Sequence, residues 1–111
     1  MGLWLHEIES GRASIGYWMA PNARGHNYAG WSLRGLVTFA FVVLAIPRLH
    51  LFVEPWNVAS QRTAEFAGFT QEALLRGWER IDGTQRDVYA YALLRQSWHP
   101  DQPGAEFDAS A

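Results

Sequence analysis

Apolar and polar positions alternate towards both ends of this chain and run together in its middle. From Met1 to Glu9, Leu3, Leu5 and Glu7 fall on one face and Trp4, His6 and Ile8 on the other, which is the two-residue period of a strand. Ser10-Gly11-Arg12 reads as a turn and Ala13 to Met19 as a second strand, so the pair should form an antiparallel hairpin. From Tyr28 to Ile46 the pattern becomes helical. After Leu36 it is apolar nearly all round, which predicts burial on several sides. Leu49 to Val53 is continuously apolar apart from His50, as a buried parallel strand is. Strand, helix and strand then make a right-handed crossover from Ala13 to Val53. Asn57 caps a short helix over Val58–Ala67, and Gly68 ends it. Two further strands, Phe69–Ile81 and Arg86–Leu94, flank the hairpin signal Asp82-Gly83. The fold class that follows is α+β (α/β): a mixed, mostly antiparallel sheet with a central βαβ crossover and a C-terminal β-hairpin. Residues 1–95 form one domain. Residues 96–111, with Pro100, Pro103 and Gly104 and no period, read as a flexible tail.

Composition narrows the classes of function. The chain has 111 residues, enough for a single core. Its formal net charge of −2 argues against binding to a nucleic-acid backbone, which needs a basic surface. It contains no cysteine, which excludes disulfides, thiolate metal sites and a cysteine nucleophile, and no metal-ligand cluster is visible. The run Leu36–Ile46 is about half the length that spans a bilayer, so it reads as a core helix rather than a membrane segment. Met1–Ser10 lacks the basic start and long apolar region of a signal peptide, so the expected location is the cytoplasm.

The stretch Ala20–Ala29 carries the first candidate chemistry. Pro21 stops the preceding strand, having no N–H for a sheet. Asn22, Gly25 and Asn27 tolerate left-handed backbone. A strand, a tight polar turn and a helix N-terminus aim several backbone N–H groups and the positive end of a helix dipole at one place, which suits a phosphate. Asn27 is also placed to cap the helix. His50 is a second candidate, as a base. With no partner visible in the sequence, it reads first as a structural histidine.

Arg24-Gly25-His26-Asn27-Tyr28-Ala29 resembles the Q/R-x-x-G-x-G/A signature of the GCN5-related N-acetyltransferase (GNAT) family, which cradles the pyrophosphate of coenzyme A. Asn27 stands where the family has glycine. Ile15-Gly16-Tyr17-Trp18-Met19-Ala20-Pro21 looks like the family's fourth strand. Asn57-Val58-Ala59-Ser60-Gln61-Arg62, followed by Ala67-Gly68-Phe69, resembles the N-x-x-S-x-R…GF element of the branch that contains the ribosomal-protein N-terminal acetyltransferases. The match runs from about Leu3 to Leu94 and covers only the second half of the family's fold, so the domain resembles the C-terminal part of an N-acetyltransferase.

The resemblance implies acetyl-CoA as cosubstrate and direct transfer of its acetyl group to a primary amine, on a protein N-terminus or a small molecule. It implies that Arg24, Gly25, His26, Asn27, Tyr28 and Ala29 bind the pyrophosphate. It further implies that Trp18, Met19 and Ala20 pair with the pantetheine arm, that Asn57 binds that arm, and that Ser60 lies near the thioester sulfur. Transfer needs the reactants held together, a neutral amine, and a donor for the departing thiolate. Ser60 is the candidate for the last role. Glu7, with His6 and Glu9, stands by chain position near the acceptor groove as candidate base. The alternative is a catalytically silent coenzyme-A-binding or structural module. In either case the missing half of the fold would leave apolar helix surface and strand edges open, so the expectation is either a fragment of a longer domain or cover by another chain, as a homodimer or a complementing subunit.

Overall fold

The computed structural model describes residues 2–16 and 28–99. A five-stranded sheet in the order β1-β2-β3-β5-β4 carries both helices. β1 (Gly2–Trp4) pairs antiparallel with β2 (Arg12–Gly16) in the register Leu3↔Ile15. The expected strand from Met1 to Glu9 therefore stops at Trp4. Ile8–Ser10 is a 3₁₀ turn, and Gly11 follows it at φ 79°, the left-handed conformation that glycine takes without a Cβ clash. Glu7 consequently lies in a turn, not on a strand, and the Arg12 guanidinium donates to its carboxylate at 3.1 Å. On the paired strands the Trp4 indole lies over Gly16, where an added Cβ would meet Nε1 at 2.6 Å.

β2 leads through α1 (Tyr28–Thr38) to β3 (Arg48–Val53), and the two strands are parallel, as the crossover requires. α1 turns Leu33 and Val37 into the core. The helix does not stay α-helical to Ile46. Phe39–Val43 forms one turn of π-helix, in which the Leu44 N–H bonds to the Phe39 carbonyl at 3.2 Å. Ala40 and Phe41 of that turn are buried, whereas Phe39, Val42, Val43 and Leu44 face outwards. Burial on several sides is thus corrected to burial on one. Past Leu36 one face of the helix joins the core and the opposite face is exposed.

After β3 comes α2 (Val58–Phe66), which packs on α1. The Trp31 and Phe66 rings meet edge-on at 5.0 Å, and the Arg34 guanidinium lies 5.1 Å from the centre of each. Gly68, at φ 99°, supplies the left-handed residue that lets the chain leave α2. β4 (Thr70–Ile81) and β5 (Thr84–Leu94) form the expected antiparallel hairpin, with Asp82 and Gly83 both at positive φ in its turn. β5 lies between β4 and β3 and pairs antiparallel with β3 from Arg48↔Leu94 to Val53↔Tyr89. Its core-facing residues include Tyr91 and Leu93, which join Ala13, Ile15, Leu49 and Leu51 in the core.

Order continues past Arg95. Residues 95–97 form a 3₁₀ turn, the Arg95 N–H bonds to the Pro47 carbonyl at 2.9 Å, and the Trp98 ring lies 5.3 Å from Phe41. Residues 100–111, most of the expected tail, lie outside the described residues. Among the described residues no helix is long and apolar enough to cross a membrane.

Candidate functional site

β2 and β3 pair in register only at Arg12↔Arg48, Ala13↔Leu49 and Ser14↔His50. Both strands continue, β2 to Gly16 and β3 to Val53, but no longer as partners. Parallel strands that separate while still extended open a fork in the sheet. The carboxyl ends of the strands, where open α/β sheets hold their ligands, lie on the same side.

On the β3 branch, Asn57 caps α2: its Oδ1 accepts the Ser60 backbone N–H at 3.1 Å. This satisfies one of the free donors of the first turn. The approach to the cap is pinned by side chains. The Gln61 amide donates to the Pro55 carbonyl at 2.7 Å, and Trp56 Nε1–H and the Arg86 guanidinium both donate to Glu54 Oε2, at 2.7 and 3.2 Å. Asn57 and Ser60 line a small cavity of about 160 Å³ together with Phe52, Glu54 and Val88.

A second, larger cleft of about 370 Å³ lies beside the vertex of the fork, lined by Glu7, Arg12, His50, Phe52 and Trp78 among others. The Ser14 Oγ and His50 Nε2 are hydrogen-bonded at 2.6 Å, and Glu7 Oε1 lies 3.9 Å from the same nitrogen. The hydrogen bond from Arg12 holds the Glu7 carboxyl below the usual carboxylate range, so Glu7 is ionised. Burial pushes the His50 imidazole below its ordinary value, with the Glu7 charge opposing that shift. At neutral pH His50 is therefore uncharged and able to accept a proton.

Among the residues singled out from the sequence, Asn57 and Ser60 come together at the α2 cap, while Glu7 sits at the other cleft. Phe52 lines both cavities. Ala29 is buried in the first turn of α1, and Tyr28 opens that helix. Trp18, Met19, Ala20, Arg24, Gly25, His26 and Asn27 lie outside the described residues. Sequence reasoning missed Ser14, and with it the partner that His50 lacked. The signal was present: Ala13-Ser14-Ile15 and Leu49-His50-Leu51 each set one polar residue between apolar neighbours, and the parallel register brings those two residues side by side.

Residues 1–70 match the acetyltransferase (GNAT) domain family. The chain is 34% identical over 97 residues to a protein of Bacillus licheniformis named as the uncharacterized N-acetyltransferase p20, covering 87% of this chain and 54% of that protein. It is 29% identical over 100 residues to YdaF of Bacillus subtilis, named as a candidate ribosomal N-acetyltransferase, covering 88% of this chain and 55% of YdaF. Among solved structures, Mycobacterium smegmatis RimJ in complex with CoA-disulfide superposes with a TM-score of 0.77 at 28% identity, over 85% of this chain and 44% of RimJ. The chain thus spans about half the length of the curated relatives it matches.

Proposed function

The chain belongs to the acetyltransferase (GNAT) family, and from that premise we propose that it serves acetyl transfer from acetyl-CoA to a primary amine, on a protein N-terminus or a small molecule, by direct attack on the thioester. The observation that carries this reading is the fork between β2 and β3, with the α2 cap on one branch. Two strands that stop pairing offer a slot for an amide-bearing arm such as pantetheine. In this reading Arg24 to Ala29 hold the pyrophosphate, Trp18, Met19 and Ala20 run beside the arm, and Asn57 contacts it. Ser60 gives the departing thiolate a hydrogen bond. Glu7, kept ionised by Arg12, faces the acceptor side, where its depressed pKa suits stabilising a positive charge better than removing a proton.

A second reading is favoured by the outer face of the helix. Phe39, Val42, Val43 and Leu44 are exposed side by side, in a chain that spans about half of its relatives. It is that of a module that binds coenzyme A or only supports the fold, completed by a second copy or by a complementing subunit.

The experiment is a calorimetric titration of the full chain with acetyl-CoA, followed by thiol release over a panel of amines. The enzyme reading expects saturable binding and amine-dependent release. Gly25→Val should weaken binding more than Arg24→Ala, because the phosphate would be held by backbone groups that a Cβ obstructs. Binding without release for any amine selects the silent module, and no binding rejects both coenzyme readings.

A further inference from the structure

His50 is held in a way that a structural histidine does not need. It interrupts the apolar run of β3 at the last register pair before the fork opens, and its side chain is 12% exposed, at the wall of the larger cleft. Its two ring nitrogens have different surroundings. Nε2 is engaged by the Ser14 hydroxyl at 2.6 Å, with the Glu7 carboxylate 3.9 Å away. Nδ1 bonds to no described group, and the ring keeps its limited exposure at the wall of the cleft. One nitrogen is anchored and the other is bonded to no described group. The hydrogen bond at one ring nitrogen sets which nitrogen carries the proton, and an oriented imidazole with a free nitrogen is the arrangement a general base requires.

We infer that His50 removes the proton from the acceptor ammonium at Nδ1, with Ser14 bonded to Nε2–H and the nearby Glu7 carboxylate favouring the proton on that nitrogen. The inference rests on the acetyl-transfer reading and assigns that reaction its base. The ammonium gives one proton to Nδ1, and the imidazole becomes imidazolium. The freed lone pair of the amine forms the C–N bond at the thioester carbonyl. The C–S bond breaks and its electrons leave on sulfur. The second proton of the amine nitrogen ends on that sulfur as the thiol, and the imidazolium returns its proton to water. Glu7, on the turn before β2, favours the imidazolium. Burial is the main influence against it and keeps the resting imidazole neutral, with Arg48 on β3, Arg12 on β2 and His6 on the same turn as Glu7 acting in the same sense. Phe52 and Trp78, with ring centroids 6.0 Å apart, give the same cleft aromatic faces that attract an alkylammonium.

The test compares wild type with His50→Gln, whose amide can still bond Ser14 from the position of Nε2. Two acceptors are used at pH 7: an alkylamine, which is protonated there, and an O-alkylhydroxylamine, which is already neutral. Loss of a general base is expected to lower kcat/KM for the alkylamine by about 100-fold or more. For the neutral acceptor the expected loss is under about threefold, with acetyl-CoA affinity unchanged and the alkylamine rate partly restored at high pH. Ser14→Ala should show the same selectivity with a smaller loss, and it carries the comparison if His50→Gln does not fold. Independently, ¹⁵N NMR of the imidazole should find neutral His50 protonated at Nε2. Equal losses on both acceptors, or a neutral ring protonated at Nδ1, would overturn the assignment while leaving the acetyl-transfer reading intact. A wild-type chain that transfers to no amine removes that reading and the assignment with it.

Discussion

Asn57 has a structural duty that the geometry shows and a ligand-binding duty that we propose, and a single substitution series separates them. Its Oδ1 accepts the Ser60 N–H at 3.1 Å, in a half-buried setting where the loop before it is pinned through Gln61 and Pro55. Replacing an N-cap asparagine by alanine costs about 1 kcal/mol, within a range of roughly 0.5–2. The pinned loop cannot re-form the cap with a neighbouring residue, so the central value is expected. For a domain of this size it corresponds to a fall in Tm of about 4–8 °C. Asn57→Asp keeps the acceptor oxygen and adds a negative charge at the helix N-terminus, worth about 0.3–1 kcal/mol, so it should melt at or above the wild type. The melts, followed by circular dichroism, are then repeated in excess acetyl-CoA. A ligand at 100 times its Kd stabilises by about 2.7 kcal/mol. If Asn57 only caps, Asn57→Ala keeps that increment in full. If it also holds the pantetheine arm, a tenfold loss of affinity removes about 1.4 kcal/mol of it. An Asn57→Ala melt within about 1 °C of wild type would refute the capping argument, since the cap is expected to cost several degrees.

Four further outcomes can be checked. Ser60→Ala should lower kcat with little change in acetyl-CoA Kd, the signature of a contact made only in the transition state; equal loss of binding and stability with turnover unchanged would return Ser60 to its place in the first turn of α2. Gly68→Ala should cost about 1–2 kcal/mol in urea denaturation, all of it from φ 99°, because the new methyl would meet Leu93 only at ordinary contact distance, 3.7 Å; a neutral result would show that the backbone there is relaxed. Stability should fall on acidification. His50 is depressed in the fold, so its contribution is present above pH 6.5 and lost as pH drops through its lower folded value; Glu7 follows further down, from 4.5. A rising urea midpoint between pH 7 and 5 would contradict this. Sedimentation at micromolar concentration should show a dimer or a larger species, given the exposed Phe39, Val42, Val43 and Leu44; a sharp monomer that binds no apolar dye would count against a second subunit.

Much of the architecture is legible in local chemistry. The crossover follows from Leu49–Val53 being apolar apart from His50. The C-terminal hairpin follows from Asp82-Gly83, and the α2 ends follow from Asn57 and Gly68. What escaped depends on tertiary geometry. The early end of β1 at Trp4 accompanies a turn closed by backbone hydrogen bonds from Leu5 to Gly11, with the Arg12–Glu7 pair tying it to β2, and none of these shows in the alternation of residues. The π-turn at Phe39–Val43 leaves no mark in an apolar run, because every register of such a run looks alike. The order at Trp98 depends on Phe41, more than fifty residues away. The Ser14–His50 pair needed the parallel register as well as the two strands.

The sheet is assembled from pairings of very different reach, and this has a kinetic consequence. β4 and β5 are joined by two residues and make the most extensive pairing in the molecule. Hairpins of this kind close in about 1–10 μs. Ser14 and His50 are 36 residues apart in sequence. Closing a loop of that length costs about 3 kcal/mol of chain entropy before any contact is made, and only three register pairs and the packing of α1 are there to offset it. The hairpin, with β3 annealed to β5 through six pairs, should therefore form early, and β1 and β2 should dock last. Amide exchange in the native state should follow the same order. β5 should be protected up to the global unfolding free energy, and β2 should open through a smaller, local fluctuation. The edge of the fork would then be the part of the sheet that breathes most often.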